Sequence, residues 1–312
     1  MNILVTNIGR RVYFLNFLLD IKKKSNKINI HLADNSKFAP TLNYTKIKKH
    51  KIPLVSDGKK KYLSSIKKIV IDNNIDLIIP LTNYDLEIFA VAKKNFKKLN
   101  CKILISSLKF IRICLDKNKT FNFCYKHKIR SPKCYNKFKD IKKIKKVFIK
   151  KDRFGNSSNG LQKINIIENH HFKNKNIIQD YIKGQELHFD ILNDFNGNYI
   201  SSCVKKKISM RAGETDKAQI IYQKKLENLC IKISRCANHV GNLDCDAIMN
   251  KRGDVYLLDF NPRFGGGYAF THLAGMNFLK KIIFLLLNKK YVLPKKPKFI
   301  KAAKEIGVKI CK

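Results

Sequence analysis

The stretch Asp254–Gly275 reads DVYLLDFNPRFGGGYAFTHLAG and is the most informative part of this sequence. Its apolar run Val255–Leu258 predicts a strand, after which the sequence turns polar and reaches three consecutive glycines. Side chains two positions apart on a strand point to the same face of the sheet. We therefore expect Asp259 and Asn261 to share one face, with Leu258 on the other.

A second strand-like run, Leu243–Met249, lies just upstream and is joined to the first by the turn signal Asn250–Asp254. We expect the two runs to pair as a hairpin with Ile248 opposite Leu257. That register gathers polar side chains on one sheet face, with Asp246 opposite Asp259 and Asp244 opposite Asn261.

This hairpin face predicts a metal site. Three carboxylates within a few ångströms repel one another unless cations lie between them. Hard oxygen ligands suit Mg²⁺ or Mn²⁺, which take one or two carboxylates together with substrate phosphates. The predicted ligands are Asp246, Asp259 and Asn261, and Arg263 follows closely enough to bind an anion. The alternative is an acidic hairpin that faces solvent.

Length and composition set the class of protein. A chain of 312 residues with 44% hydrophobic residues can form two or three compact subdomains. Nine cysteines without a Cys-x-x-Cys pair argue against a zinc or disulfide framework and favour a reducing cytoplasm. The start MNILVTNIG reads as a strand and not as a signal peptide. The longest apolar run, Ile282–Leu287, is too short to cross a bilayer.

The formal charge of +42 raises the question of a nucleic-acid partner. The lysines are scattered through nearly every segment, and aromatic residues do not alternate with them as in a base-stacking surface. Heavy use of Asn and Ile beside Lys indicates the codon bias of an A+T-rich genome. The sequence thus argues against nucleic acid or a membrane as partner, although a basic field helps to recruit anions such as ATP.

The first hundred residues alternate strands and helices, which predicts a parallel sheet covered on both faces. The first strand–turn–helix carries only Gly9 where a dinucleotide fingerprint needs three glycines, so NAD is disfavoured. Ligands of such sheets bind beyond the carboxyl ends of the strands. The strand Asp76–Pro80 is followed by a polar set that we therefore expect to meet substrate: Thr82, Asn83, Asp85 and Glu87. The alternative for Asp85 and Glu87 is that they cap the helix that follows.

The segment LLDFNPRFGGGYAFTHLAGMN resembles the metal-binding strand and loop of the ATP-grasp ligases, especially short single-copy relatives of the carbamoyl-phosphate synthase large subunit. The chain has Asp259 where that family has glutamate. The resemblance implies an α/β fold, with an N-terminal Rossmann-like parallel-sheet domain followed by a two-lobed α+β ATP-grasp domain. The implied boundaries are 1–112, 113–290 with a small lobe at about 120–183, and a basic extension at 291–312.

The same resemblance implies a nucleotide site. The Asp-Lys pair that opens the ATP-grasp domain makes Lys117 a phosphate ligand. The family's phosphate loop is matched by Lys151, Gly155, Ser158 and Gly160, although Asp152 replaces a proline and a plain hairpin loop is the alternative. The implied adenine hinge is Gln179, Asp180, Tyr181 and Ile182, with Glu186 on the ribose. His188 is expected to be a structural histidine.

On the substrate side, the resemblance implies that Lys207 and Arg211 neutralise a carboxylate or the transferred phosphate, with Lys217 assisting. Arg10 and Arg11 either fix an acidic substrate or are solvated at a helix start. The implied activity is an ATP- and Mg²⁺-dependent ligase (Mn²⁺ is the other metal) that joins a small-molecule carboxylate to an amine through an acyl-phosphate. Alternatives are a non-catalytic ATP-binding or regulatory protein and a basic nucleic-acid-binding protein; a homodimer is compatible.

Overall fold

The computed structural model describes residues 1–25, 27–44, 47–135, 137, 147–155, 160–165, 175–305 and 307. One predicted site residue, Ser158, lies outside these residues. Within them the chain forms three sheets, and each sheet contributes one wall to the cavity that is described below.

The N-terminal sheet is parallel, with strand order β3-β2-β1-β4-β5, and this confirms the predicted parallel domain. Its central strands are almost wholly apolar and buried because helices cover both faces of the sheet. The elements are β1 (Asn2–Thr6), α1 (Val12–Lys23), β2 (Asn29–Asp34), β3 (Lys48–Lys51), α2 (Lys59–Asp72), β4 (Leu77–Pro80), α3 (Leu86–Lys97) and β5 (Lys102–Ile103), with short 3-10 turns at Pro40–Asn43 and Val55–Asp57.

Two helices then lead to a small antiparallel sheet with strand order β6-β9-β7-β8. Among the described residues its buried core is small, consisting of Tyr135, Phe148 and Ile178. The elements are α4 (Leu108–Cys114), α5 (Lys117–Lys126), β6 (Cys134–Tyr135), β7 (Phe148–Asp152), β8 (Gln162–Ile164) and β9 (Asn176–Asp180).

The third sheet is antiparallel, with strand order β14-β13-β10-β11-β12-β15. One face packs on α4, α5 and α6, and the other carries the polar residues of the cavity. The strand β15 comes from the basic C-terminal segment and pairs with β12. The elements are β10 (Gln185–Asn193), β11 (Tyr199–Arg211), β12 (Glu214–Ile221), α6 (Lys224–Ala237), β13 (Gly241–Met249), β14 (Val255–Asn261), α7 (Tyr268–Leu273), α8 (Phe278–Leu286) and β15 (Lys301–Ala303).

The hairpin of β13 and β14 forms, with two of its three predicted residue pairs, since Asp244 lies opposite Asn261 as expected. Asp246 lies opposite Asp259, as expected, whereas Ile248 lies opposite Tyr256 and not opposite Leu257. An irregularity after Asp246 leaves Leu258 as an extra residue, and such a bulge turns the following side chains. As a result Leu258 lines the cavity beside Asp259 and does not face away from it.

One hydrophobic core joins the N-terminal sheet to the large antiparallel sheet. Helix α1 packs against helix α8, and the rings of Phe14 and Phe264 lie 5.4 Å apart. Phe17 and the His272 ring stack with centroids 3.5 Å apart. These contacts bury apolar side chains from both parts of the chain in a single cluster. None of the helices among the described residues is long and apolar enough to cross a membrane.

Candidate active site

A cavity of about 1060 Å³ opens where the three sheets meet. Loops at the carboxyl edge of the parallel sheet close one side, the small sheet covers another, and the polar face of the large sheet forms the floor. Most of the predicted site residues line it together, although they are spread along the sequence: Lys117, Lys151, Gly155, Gln179, Asp180, Tyr181, Ile182, Glu186, Lys207, Asp246, Asp259, Asn261 and Arg263.

The floor of the cavity carries the predicted acidic patch, and each carboxylate there has a cationic partner. Lys207 Nζ lies 2.6 Å from Asp246 Oδ1. Lys151 Nζ lies 3.7 Å from Asp259 Oδ2. These contacts offset the mutual repulsion of carboxylates on adjacent strands, which would otherwise be costly. The patch is therefore a mixed-charge surface in which each carboxylate is paired with a lysine or an arginine.

Asp246 and Lys207 keep each other in the charged form against the effect of burial. Burial alone would raise the pKa of Asp246, but Lys207 and then His188 lower this pKa well below its ordinary value. Burial would likewise lower the pKa of Lys207, but Asp246 raises it. Both groups are thus charged at neutral pH, and Asp246 offers an anionic oxygen of the kind that Mg²⁺ and Mn²⁺ bind. Two carboxylates and the Asn261 amide fit a hard divalent cation.

A fully buried polar layer lies beneath this surface. Lys205 forms an ion pair with Asp190, and neither side chain is exposed. The same ammonium group donates to the Gly267 carbonyl at 3.0 Å and to Thr271 Oγ1 at 2.7 Å. Asn242 Nδ2 donates to Asp190 Oδ1 at 2.9 Å. Because Lys205 bonds both to Asp190 on β10 and to the Gly267 carbonyl, this network holds the triple-glycine loop against strands β10 and β11.

His188 was expected to be a satisfied structural histidine, and the structure gives it a more charged environment. Its Nδ1 lies 3.4 Å from Asp246 Oδ1, and its Nε2 lies 3.7 Å from Asp244 Oδ1 and 3.8 Å from Asp190 Oδ1. Among the described residues Nε2 has no hydrogen-bond partner. Burial by itself would lower the pKa of His188, but the nearby carboxylates, Asp244 first, outweigh burial and raise this pKa above its ordinary value. The imidazolium form is therefore favoured.

The triple-glycine loop has no room for side chains. A Cβ atom on Gly265 would lie 1.4 Å from Asp244 Oδ2, and one on Gly267 would lie 2.8 Å from the His188 ring. The carboxylate of Asp244 in turn accepts from Arg263 Nη1 at 2.9 Å. Glycine is therefore required here because the loop backbone lies directly on the polar side chains of β10 and β13.

At the end of the cavity that the resemblance assigns to the nucleotide, Lys117 meets Gly155, the first glycine of the predicted phosphate loop. Lys117 Nζ donates to the Gly155 carbonyl at 2.9 Å, and burial lowers the pKa of this lysine. Asp116 caps helix α5 by accepting from the N–H groups of Asn118 and Lys119, and it also binds Arg153 through two hydrogen bonds. The cap fixes the first turn of the helix and thereby the direction in which Lys117 points.

The predicted adenine hinge lies along the cavity wall at the end of β9. The backbone N–H groups of Asp180 and Tyr181 donate to the carbonyls of Lys133 and Val147 at 3.0 and 3.2 Å. These two N–H groups therefore hold the segment in the small sheet. Glu186 also lines the cavity, and one of its carboxylate oxygens lies 3.7 Å from Lys207 Nζ.

Some predicted residues lie elsewhere. Arg211 is half exposed, forms an ion pair with Asp216 at 2.9 Å and does not line the cavity. Gly160 has a left-handed φ of 68° and approaches Asp152 closely, since a Cβ there would meet Asp152 Oδ1 at 2.8 Å. Asp85 is fully buried, so it does not meet substrate.

The N-terminal arginines take different positions. Arg10 donates to the Ala212 carbonyl at 3.4 Å. Arg11 lines the cavity, and its Nη2 lies 3.7 Å from Glu214 Oε1. The Glu214 carboxylate also accepts from Lys304 Nζ at 2.7 Å. The loop between β11 and β12 is thus tied to both ends of the described chain.

Two contributors, Lys205 and Glu214, were missed as site residues, whereas Asp244 was placed in the acidic patch but not among the predicted metal ligands. The period-two pattern does place Lys205 and Lys207 on one face of β11, as it places His188 and Asp190 on one face of β10. The pairing of β10 with β11 and β13 could not be read from that pattern. It brings residues together that are far apart in sequence.

Comparisons with known proteins agree with this geometry. The ATP-grasp domain family matches residues 114–267, and the family described as the PylC-like N-terminal domain matches residues 3–104. No curated protein matches the chain as a sequence.

Three solved structures share the fold. The L-amino acid ligase from Bacillus licheniformis has a TM-score of 0.65 and 16% identity, covering 90% of this chain and 73% of its own. The N5-carboxyaminoimidazole ribonucleotide synthetase from Thermotoga maritima has a TM-score of 0.69 and 15% identity, and the match covers 96% of this chain and 79% of the synthetase. The third is the biotin carboxylase domain dimer of Hydrogenobacter thermophilus 2-oxoglutarate carboxylase, in complex with MgADP, ADP and bicarbonate. It has a TM-score of 0.71 and 13% identity, and the match covers 90% of this chain and 69% of that domain.

Residues 114–267 are thus an ATP-grasp domain, in agreement with the sheets and the cavity described above. A PylC-like N-terminal domain precedes it at residues 3–104, and the resemblance of the Asp254–Gly275 stretch had implied the ATP-grasp domain.

Proposed function

We propose that this chain is an ATP- and divalent-metal-dependent ligase that activates a small-molecule carboxylate as an acyl-phosphate and joins it to an amine. One observation carries the proposal. Lysines suited to phosphates and oxygen ligands suited to a divalent cation line one cavity, with Arg263 beside them. Phosphoryl transfer asks the protein mainly for such positioning and charge neutralisation.

The residues divide between two ends of the cavity. Lys117 and Lys151 bind the phosphates of ATP, whose adenine lies along Gln179–Ile182 with the ribose near Glu186. Asp246, Asp259 and Asn261 would hold Mg²⁺ or Mn²⁺, which when bound would neutralise phosphate charge. The proposed phosphate loop spans Gly155 to Gly160 and includes Ser158.

The transfer proceeds in two steps. A carboxylate oxygen of the substrate attacks the γ-phosphorus, the bond to the β-phosphate oxygen breaks, and ADP leaves. Arg263 and Lys207 stabilise charge on the transferred group, because both are cations held close to the acidic floor. The amine nitrogen then attacks the acyl carbon and loses a proton as phosphate departs. Arg211 is proposed to meet substrate only from the rim, given its exposure.

The test is ADP release with Mg·ATP or Mn·ATP across a panel of amino acids, sugar acids and amines. Hydroxylamine added with the carboxylate alone traps an acyl-phosphate as a hydroxamate, which separates activation from joining. Metal-dependent ATP binding without turnover on any member of a broad panel favours the non-catalytic nucleotide-binding alternative. A lack of metal-dependent nucleotide binding in calorimetry contradicts the proposal.

The oligomeric state belongs to the same proposal. The Hydrogenobacter thermophilus domain is a dimer, and its fold covers most of this chain. We propose a homodimer here as well, and sedimentation of the purified chain measures it directly.

A further inference from the structure

Asn83 links the N-terminal sheet to the candidate metal and anion ligands. It follows strand β4, and only 8% of its surface is exposed. Its Nδ2 donates to Asn261 Oδ1 at 2.7 Å, and its Oδ1 accepts from Arg263 Nε at 3.0 Å. The two partners lie 178 and 180 residues away in sequence, on the ATP-grasp side of the cavity.

The direction of these bonds is determined by chemistry. An arginine guanidinium has only donors, so the Asn83 atom that faces Arg263 must be the oxygen. The Asn83 amide nitrogen then faces Asn261, and the Asn261 atom that receives its hydrogen must also be oxygen. A carbonyl oxygen has two lone pairs, so Asn261 Oδ1 keeps one for a cation.

The loop that carries Asn83 is itself fixed from below. The buried carboxylate of Asp85 accepts hydrogen bonds from Thr6 Oγ1 at 2.8 Å, Asn7 Nδ2 at 2.8 Å, Tyr62 OH at 3.0 Å and Thr82 Oγ1 at 3.1 Å. These donors come from β1 and the turn after it, from α2 and from the loop itself. Asp85 thus anchors the loop to the sheet, and Asn83 extends from this anchor into the cavity.

We propose that Asn83 is a positioning residue, which sets the amide orientation of Asn261 and the direction of Arg263 from the neighbouring domain. The inference rests on the proposed function, since it assigns Asn261 to the metal and Arg263 to the transferred phosphate. Its consequence is that the loop facing the substrate end of the cavity also controls the affinity for the divalent cation.

Calorimetric titration of Mn²⁺ into the full chain with saturating ADP tests the inference without turnover. Asn83→Ala removes both hydrogen bonds, and we expect the dissociation constant for Mn²⁺ to rise about 10- to 100-fold, as when other partners of metal ligands are removed. The affinity for ADP without metal should stay within about twofold. Asn29→Ala is the matched control, because Asn29 donates to Asn2 at the amino-terminal ends of β1 and β2, in the same sheet but away from the cavity.

Asn83→Asp separates orientation from charge and supplies a second variant should Asn83→Ala fold poorly. The carboxylate still accepts from Arg263 but cannot donate to Asn261, whose amide must turn its nitrogen toward position 83. We therefore expect weaker Mn²⁺ binding, although the added negative charge alone would strengthen it. A dissociation constant for Mn²⁺ that is unchanged or lower in both variants overturns the inference. Absence of Mn²⁺-dependent ADP binding in the unmutated chain contradicts the proposed function and this inference together.

Discussion

Replacing Lys205 with methionine is expected to lower the free energy of unfolding by about 3 to 5 kcal/mol. The ammonium group is fully buried and has three partners, namely Asp190, the Gly267 carbonyl and Thr271. Methionine fills a similar volume but supplies no charge, so the Asp190 carboxylate is left buried without its cation. Removing one member of a buried pair costs this much because the remaining charge is uncompensated.

The magnitude can be measured by urea unfolding followed by circular dichroism and by the thermal midpoint, which should fall by about 10 °C for a chain of this size. Asp190 retains Thr271, with an Oγ1–Oδ2 distance of 2.5 Å, and Asn242, which places the expected loss toward the lower end of the range. Lys206→Met is the matched control on the opposite face of β11, where we expect a change within about 0.5 kcal/mol.

A double variant completes the test. Lys205→Met with Asp190→Leu removes both charges, and we expect it to be more stable than Lys205→Met alone, since apolar pairs often replace buried ion pairs without loss. A Lys205→Met protein whose free energy of unfolding lies within about 1 kcal/mol of the unmutated chain would refute the view that this layer holds the glycine loop.

Three further changes have distinct expected results. Asp259→Ala should lower the rate of ADP formation by about 10²- to 10³-fold, because the cation that neutralises phosphate charge loses one of its proposed ligands. Turnover at the unmutated rate would count against Asp259 as a metal ligand. Gly265→Ala places a Cβ 1.4 Å from Asp244 Oδ2, so we expect a loss of about 1 to 3 kcal/mol in urea unfolding, and an unchanged midpoint would contradict the close approach. Burial, aided by His50, lowers the pKa of His31 from 6.5 to about 4, so the unfolded chain binds more protons between these values and stability falls as the pH falls through this range. His31→Leu should therefore reduce the drop in thermal midpoint between pH 7 and pH 5, and parallel pH profiles of the two proteins would disprove this account.

Short-range patterns predicted much of the fold from the sequence. Apolar strands followed by helices predicted the parallel sheet, and the period of two placed Asp259 and Asn261 on one face. The bulge at Leu258 was not predictable, because the hairpin register depends on how the Asn250–Asp254 turn closes. A shift of one residue moves a side chain to the other face.

The polar network was beyond sequence reasoning for a different reason. Lys205 and Asp190 meet because β10 and β11 pair, and Asn83 meets Arg263 because two different sheets pack together. Asp85 was placed near substrate because it follows a strand end, yet burial and four donors make it an anchor of the loop. Tertiary contacts of this kind leave no periodic signal in a single sequence.

The core shared by helix α1 and helix α8 determines where this protein can open. Separating the parallel sheet from the large antiparallel sheet would expose that whole apolar interior to water, at a high free-energy cost. The two sheets that this core joins should therefore move as one rigid unit, and hydrogen exchange should be slow in the strands that the core covers.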